Sequence, residues 1–239
     1  MKKLSKQLTL VMLAILAVPA WSIFPLATDN ARTTPPNRTG LEMGYSIFQP
    51  QSGEQKQLLF TVKRGLSGNL ELGTDLPVSL STPTGLQDVS LNLKFRLLQF
   101  SRSEGLTLKF STKLANGSPV MGTGSGLANY GIAAIMTKGF GLLTGHLNLG
   151  YTMVGVPAGA ASANYSSYSA ALETIFFGEH GELFTEVAGN SSVTPAPLTF
   201  TLGARFWLGD YTQFVVGYGK GLSDGGYQSA LQIGLTSEI

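Results

Sequence analysis

Ten charged residues stand at alternating positions of apolar-polar runs, always on the polar side: Lys63, Glu71, Asp75, Lys94, Arg96, Lys109, Lys113, Glu173, Glu186 and Arg205. Side chains of a β-strand alternate between two faces, so even spacings such as Lys94–Arg96 and Lys109–Lys113 put both members on one face. Such charges could do two things around a shared interior. If the interior is wet, opposed basic and acidic walls set up a transverse field that orients polar solutes and selects among ions. The row Lys109–Lys113 beside Lys94–Arg96 is then the candidate for an anion-preferring stripe. If the interior is small, ion pairs such as Glu71 or Asp75 with Lys94 or Arg96 fill it. The sequence leaves both readings open.

Catalysis, cofactors and metals find little support. His146 has the parity of the charged residues, and no serine sits in a nucleophile-elbow context to complete a hydrolytic triad. His180 lies in the tight turn Gly178-Glu179-His180-Gly181. Glu179, His180 and Glu182 match no closed metal-site spacing. Gly122-Thr123-Gly124-Ser125-Gly126 lacks the lysine of a P-loop and the helix of a dinucleotide site, and reads as a flexible loop. No catalytic or metal residue is assigned, and no cofactor.

The elements that must carry the charges are strands. Val89 to Leu97 reads V-S-L-N-L-K-F-R-L, with every second residue apolar. The pattern recurs and predicts about twelve strands: 41–49, 56–64, 69–77, 88–98, 105–114, 127–138, 142–154, 164–177, 182–188, 198–208, 211–220 and 226–236. Tight turns and long Gly/Ser/Pro/Ala-rich stretches alternate between them, as in outer-membrane barrels with short periplasmic turns and longer external loops. Only 13% of residues are charged, against about a quarter in soluble domains. Lipid around the apolar faces and a polar lumen would explain that deficit.

Met1 to Ser22 reads as a signal peptide. Lys2, Lys3 and Lys6 form its positive region, Leu8 to Val18 its apolar core, and Ala20-Trp21-Ser22 a cleavage site. The polar stretch 23–40, with Thr33-Thr34-Pro35-Pro36-Asn37, reads as a flexible periplasmic lead-in. The barrel is expected over 41–239. The whole chain has 16 Lys+Arg against 14 Asp+Glu. Removing the three leader lysines leaves a nearly neutral protein with no general attraction for nucleic acid. Cysteine is absent, which excludes disulfides and thiolate metal sites.

The stretches GLSGNLELGTDLP (65–77), DVSLNLKFRLL (88–98), GSGLANYGI (124–132), HLNLGYTMVG (146–155) and LTFTLGARFWLGDYTQFVVGYGKGL (198–222), in this order and spacing, resemble the bacterial outer-membrane barrel family named for the meta-cleavage pathway of phenol degradation. The resemblance implies a transporter of the outer membrane and, alone among these arguments, an aromatic or hydrophobic solute. One departure is the end of the chain, Thr236-Ser237-Glu238-Ile239, where many such barrels carry a terminal aromatic.

The expectation is therefore an all-β, transmembrane, antiparallel up-and-down β-barrel in the outer membrane of a Gram-negative bacterium. Its expected partners are outer-membrane lipid, the barrel-assembly machinery and a small-molecule solute. Passive passage through a charged lumen leads. The alternatives are a structural barrel plugged by its own charges and an outer-membrane lipid hydrolase using His146.

Overall fold

The computed structural model describes residues 24–50, 53–101, 103–159, 161–176 and 180–239. The expected leader, 1–22, and Glu179 lie outside the described residues. Thirteen strands follow in order: β1 (Thr39–Gln49), β2 (Gln55–Ser67), β3 (Leu70–Ser79), β4 (Gly85–Leu86), β5 (Ser90–Gln99), β6 (Gly105–Lys113), β7 (Asn129–Phe140), β8 (Leu143–Met153), β9 (Tyr165–Phe176), β10 (Gly181–Asn190), β11 (Leu198–Trp207), β12 (Thr212–Gly221) and β13 (Ser229–Glu238). Every long strand pairs antiparallel with its sequence neighbours, and β1 pairs with β13, so twelve strands close into a barrel. The two-residue β4 adds a small annexe to the end of β3. Closure leaves no unpaired edge, which a bilayer demands of any sheet that crosses it.

Alternation explains the wall. On β5, Leu91, Leu93 and Phe95 are exposed outward, Leu93 by 37%, whereas Lys94 is 4% and Arg96 7% exposed. The same inversion holds for Phe110, Leu149, Leu202, Leu231 and Ile233, all exposed. Arg205 and Gln213 are among the largest fully buried side chains. A soluble sandwich would instead bury the leucines between two sheets. The apolar band is on the outside, as in a barrel built to cross a bilayer.

The two ends of the barrel differ. One carries short connections, at 68–69, 100–104, 141–142, 177–180 and 208–211. The other carries the longer ones, including 80–89, 114–128 and 154–164. At the short-turn end the chain terminus is tied into the wall: the Thr39 amide donates to the Ile239 carbonyl at 2.7 Å, and the Ile239 amide donates back at 2.9 Å.

The stretch before β1 differs from the expected lead-in. Residues 24–35 run inside the barrel, where Thr28 and Ala31 are completely buried, and 36–38 are exposed at its short-turn end. The physical reason is that the wall offers this stretch partners for its backbone, side chain by side chain.

Candidate functional site

The inner segment turns into the lumen at the short-turn end. Asn37 adopts a positive φ of 64°, which asparagine tolerates better than most residues. Pro36 forms a parallel bridge with Gly65, and the Asn37 amide donates to the Gly65 carbonyl at 3.3 Å. A side chain at position 65 would collide with the carbonyls of Thr34 and Pro35, so glycine there lets the two backbones meet.

From that anchor the segment travels round the inner wall. The Thr34 amide and hydroxyl both donate to Glu71 on β3, at 2.6 and 2.7 Å. The Ala31 carbonyl accepts from Arg96 Nε on β5 (3.1 Å) and from the Thr107 hydroxyl on β6 (2.5 Å), while its amide donates to Thr137 on β7 (2.8 Å). Lys94 Nζ donates to the carbonyls of Asn30 and Arg32, both at 2.9 Å, and to Asp29 Oδ1 at 3.0 Å. Lys109 Nζ takes the other carboxylate oxygen, Oδ2, at 3.2 Å. The Asn148 amide on β8, oriented to satisfy both groups, brackets the Asp29 backbone: its nitrogen donates to the carbonyl at 2.9 Å and its oxygen accepts from the amide at 2.5 Å. The Thr28 amide and hydroxyl then donate to Glu186 Oε1 on β10, both at 2.6 Å. The ring of Phe24 ends beside Gly44 of β1 and Gly234 of β13.

Burial on its own would push the Asp29 carboxyl upward. Lys94, then Lys109 and the more distant Lys63, outweigh it and hold the carboxyl far below the usual carboxylate range. Asp29 is therefore anionic at any ordinary pH, and a buried anion is stable only with such partners.

Above the segment, toward the long-loop end, lies a cavity of about 590 Å³. Pro25, Leu26, Ala27 and Asp29 line it at the level of the segment. Small uncharged residues such as Ser111, Gly131, Ser167 and Ser169 form much of its wall, and it reaches the loops at Pro197, Gly226 and Tyr227. The lumen is thus a cup whose base is the chain's own N-terminal segment.

All ten charged residues singled out from the sequence lie on the lumenal side, and the segment brings four of them together: Glu71, Lys94, Arg96 and Lys109 all grip it, as Glu186 does from the opposite wall. The others are engaged elsewhere. Lys63 pairs with Glu42. Asp75 accepts from Thr61 and Asn92 at 2.8 and 2.7 Å. Lys113 is drawn to Asp88 at 2.7 Å, near the long loops. Burial raises and Lys113 lowers the Asp88 carboxyl, and the sum lies below its ordinary value. Arg205 donates to Glu173 at 2.5 Å and lies near Glu182 at 3.4 Å, with its guanidinium 4.7 Å from the Phe184 ring centroid. Glu71 stands directly opposite Lys94 in the β3–β5 register, and both of these charges also hold the inner segment.

Asp29 and Thr28 are the site residues that the sequence reading missed. A signal was present: the basic cluster on β5 and β6 has no matching acids on its own strands. His146 is buried, with Nδ1 2.9 Å from the Thr137 hydroxyl and Nε2 3.1 Å from Glu173. It faces the lumen and so has no access to lipid, which removes the geometric basis for lipid hydrolysis at this residue. Among the described residues no cluster of His, Asp and Glu could hold a metal ion.

No family model matches the chain, and no curated protein does. Solved structures do. The chain is similar to an outer-membrane channel from Pseudomonas putida F1, at 13% identity over 90% of this chain and all of that one, with a TM-score of 0.66. The fold is that of outer-membrane β-barrels. It is similar as well to the NanC porin (8% identity, 84% of this chain and 100% of that one, TM-score 0.62) and to the KdgM porin (10% identity, 83% and 98%, TM-score 0.58). At these identities the likeness is one of fold.

Proposed function

We propose that the protein is a gated channel of a Gram-negative outer membrane, through which small solutes pass when residues 24–34 leave the middle of the lumen. The observation that carries this reading is the inner segment itself. It crosses the lumen at mid-height, held by hydrogen bonds and ion pairs to side chains rather than by a strand ladder. Each charge-assisted bond is worth about 1.5–3 kcal/mol net, and each can be exchanged for water or solute. The cup above it falls in the range of ligand-sized cavities, about 300–1,000 Å³. The likeness to channels and porins supports the same reading, and the resemblance of 65–77, 88–98 and 198–222 to the phenol meta-pathway family favours a solute with an aromatic or hydrophobic body.

The density of bonds along the segment favours a second reading, a permanently closed structural barrel. Planar-bilayer recording separates the two. The native chain is expected to be mostly closed with discrete openings, and the full-length Thr28→Ala/Asp29→Asn variant to conduct steadily. Silence from both proteins at every voltage would leave the static barrel as the answer.

A further inference from the structure

In the antiparallel register of β5 and β6, Lys94 lies directly opposite Lys109. Like charges at such a cross-strand position repel and destabilise the pair. Asp29 resolves the repulsion: one carboxylate oxygen goes to each ammonium, at 3.0 and 3.2 Å. A planar carboxylate with two acceptor atoms suits this bridge. The wall therefore contains a carboxylate site, and the carboxylate now in it belongs to the segment that closes the channel.

The two lysines are not equivalent. Lys94 is 4% exposed and is also committed to the carbonyls of Asn30 and Arg32. Lys109 is 29% exposed, lines the cup, and touches the segment through Asp29 by the longer of the two contacts. Its β7 register partner is Ala133, and the next lumenal positions toward the loops are Ser111 and Gly131. These small residues leave room directly above the ammonium.

We infer that a small monocarboxylate in the cup competes with Asp29 for Lys109 and Lys94, and so releases the inner segment. The inference deepens the channel reading and rests on it: the solute class is a carboxylate, and the solute itself unlatches the gate. A ligand that binds only the released state shifts the equilibrium by its own binding free energy. At about ten times its dissociation constant, the released-to-seated ratio rises about tenfold. A neutral molecule of the same shape has no claim on the lysine pair and shifts nothing.

The test uses full-length protein in planar bilayers at constant ionic strength, with sodium benzoate set against benzyl alcohol, and sodium chloride as the control for simple anions. A nitroxide on Ala27→Cys, a side chain exposed to the cup in a chain with no other cysteine, reports movement of the segment independently of conductance. Benzoate is expected to raise the open fraction about tenfold and to narrow the spin-label spectrum. Benzyl alcohol and chloride are expected to do neither. Lys109→Gln is expected to lose the benzoate response, and Lys113→Gln, whose ammonium goes to Asp88, to keep it. Equal effects of benzoate and benzyl alcohol on the label, or a full benzoate response in Lys109→Gln, would overturn the inference. If benzoate leaves the label still while Thr28→Ala/Asp29→Asn conducts, the carboxylate inference falls and the gated channel stands. If benzoate frees the label but no variant conducts, the carboxylate site stands and the channel reading falls.

Discussion

The ring of Phe24 occupies the space that a side chain on Gly44 would need. A Cβ at Gly44 would overlap the ring, and one at Gly234 would meet it at 2.7 Å. Two inward glycines on adjacent strands thus form the slot in which the far end of the inner segment rests.

Filling that slot should unseat the segment without touching its polar grips. Gly44→Leu is expected to raise the released fraction about tenfold or more, since burying an aromatic side chain is worth about 1.5–3 kcal/mol. Phe24→Ala should act in the same direction. Combining the two should add little to either, because both remove one contact. The mobility of a nitroxide on Ala27→Cys measures it.

The latch at Asp29 should resist acid. Its carboxyl is depressed in the seated state, so its contribution is complete above the ordinary carboxylate value of about 4. It is lost only as pH falls below that value toward the depressed one. The ratio of open fractions between Asp29→Asn and native protein is therefore expected to stay constant from about pH 7 to about pH 4 and to shrink only below it. Bilayer recording across that range checks this. Convergence of the two proteins near pH 6 would show that Lys94 and Lys109 do not hold the carboxylate as described.

Arg205 should matter for the barrel and not for the gate. It is 1% exposed and balanced by Glu173 and Glu182. Arg205→Met leaves those carboxylates without their cation and is expected to destabilise the folded barrel by about 3–5 kcal/mol. The double variant Arg205→Met/Glu173→Gln should recover part of that loss. Urea unfolding in lipid vesicles gives both values. Mobility of a label at Ala27 should be unchanged in each.

The wall was legible in the sequence because its information is local. Val89 to Leu97 shows its period of two within nine residues, and the bilayer turns that period directly into an inside and an outside. The inner segment has no period. Thr28 finds Glu186, and Ala31 finds Thr107, far along the chain and through isolated bonds. Its polar, proline-containing composition is the same as that of a solvated linker, so 23–40 read as a lead-in. Placing Lys94 and Lys109 on one face was possible from parity; their direct opposition depends on the β5–β6 register, which a bulge between Arg96 and Leu98 adjusts. From that opposition the need for an anion follows, and with it a role for Asp29.

The inner segment also has a bearing on how the barrel answers an electric field. Between Phe24 and Thr34 it carries one acid, Asp29, and one base, Arg32. A membrane potential does work of about 2.3 kcal/mol per elementary charge per 100 mV, and on this stretch the two formal contributions cancel. Voltage acting on these two charges alone twists the segment in its seat rather than drawing it out, so on the gated-channel reading the chemistry of what fills the lumen, and not these charges, is expected to set how often the barrel opens.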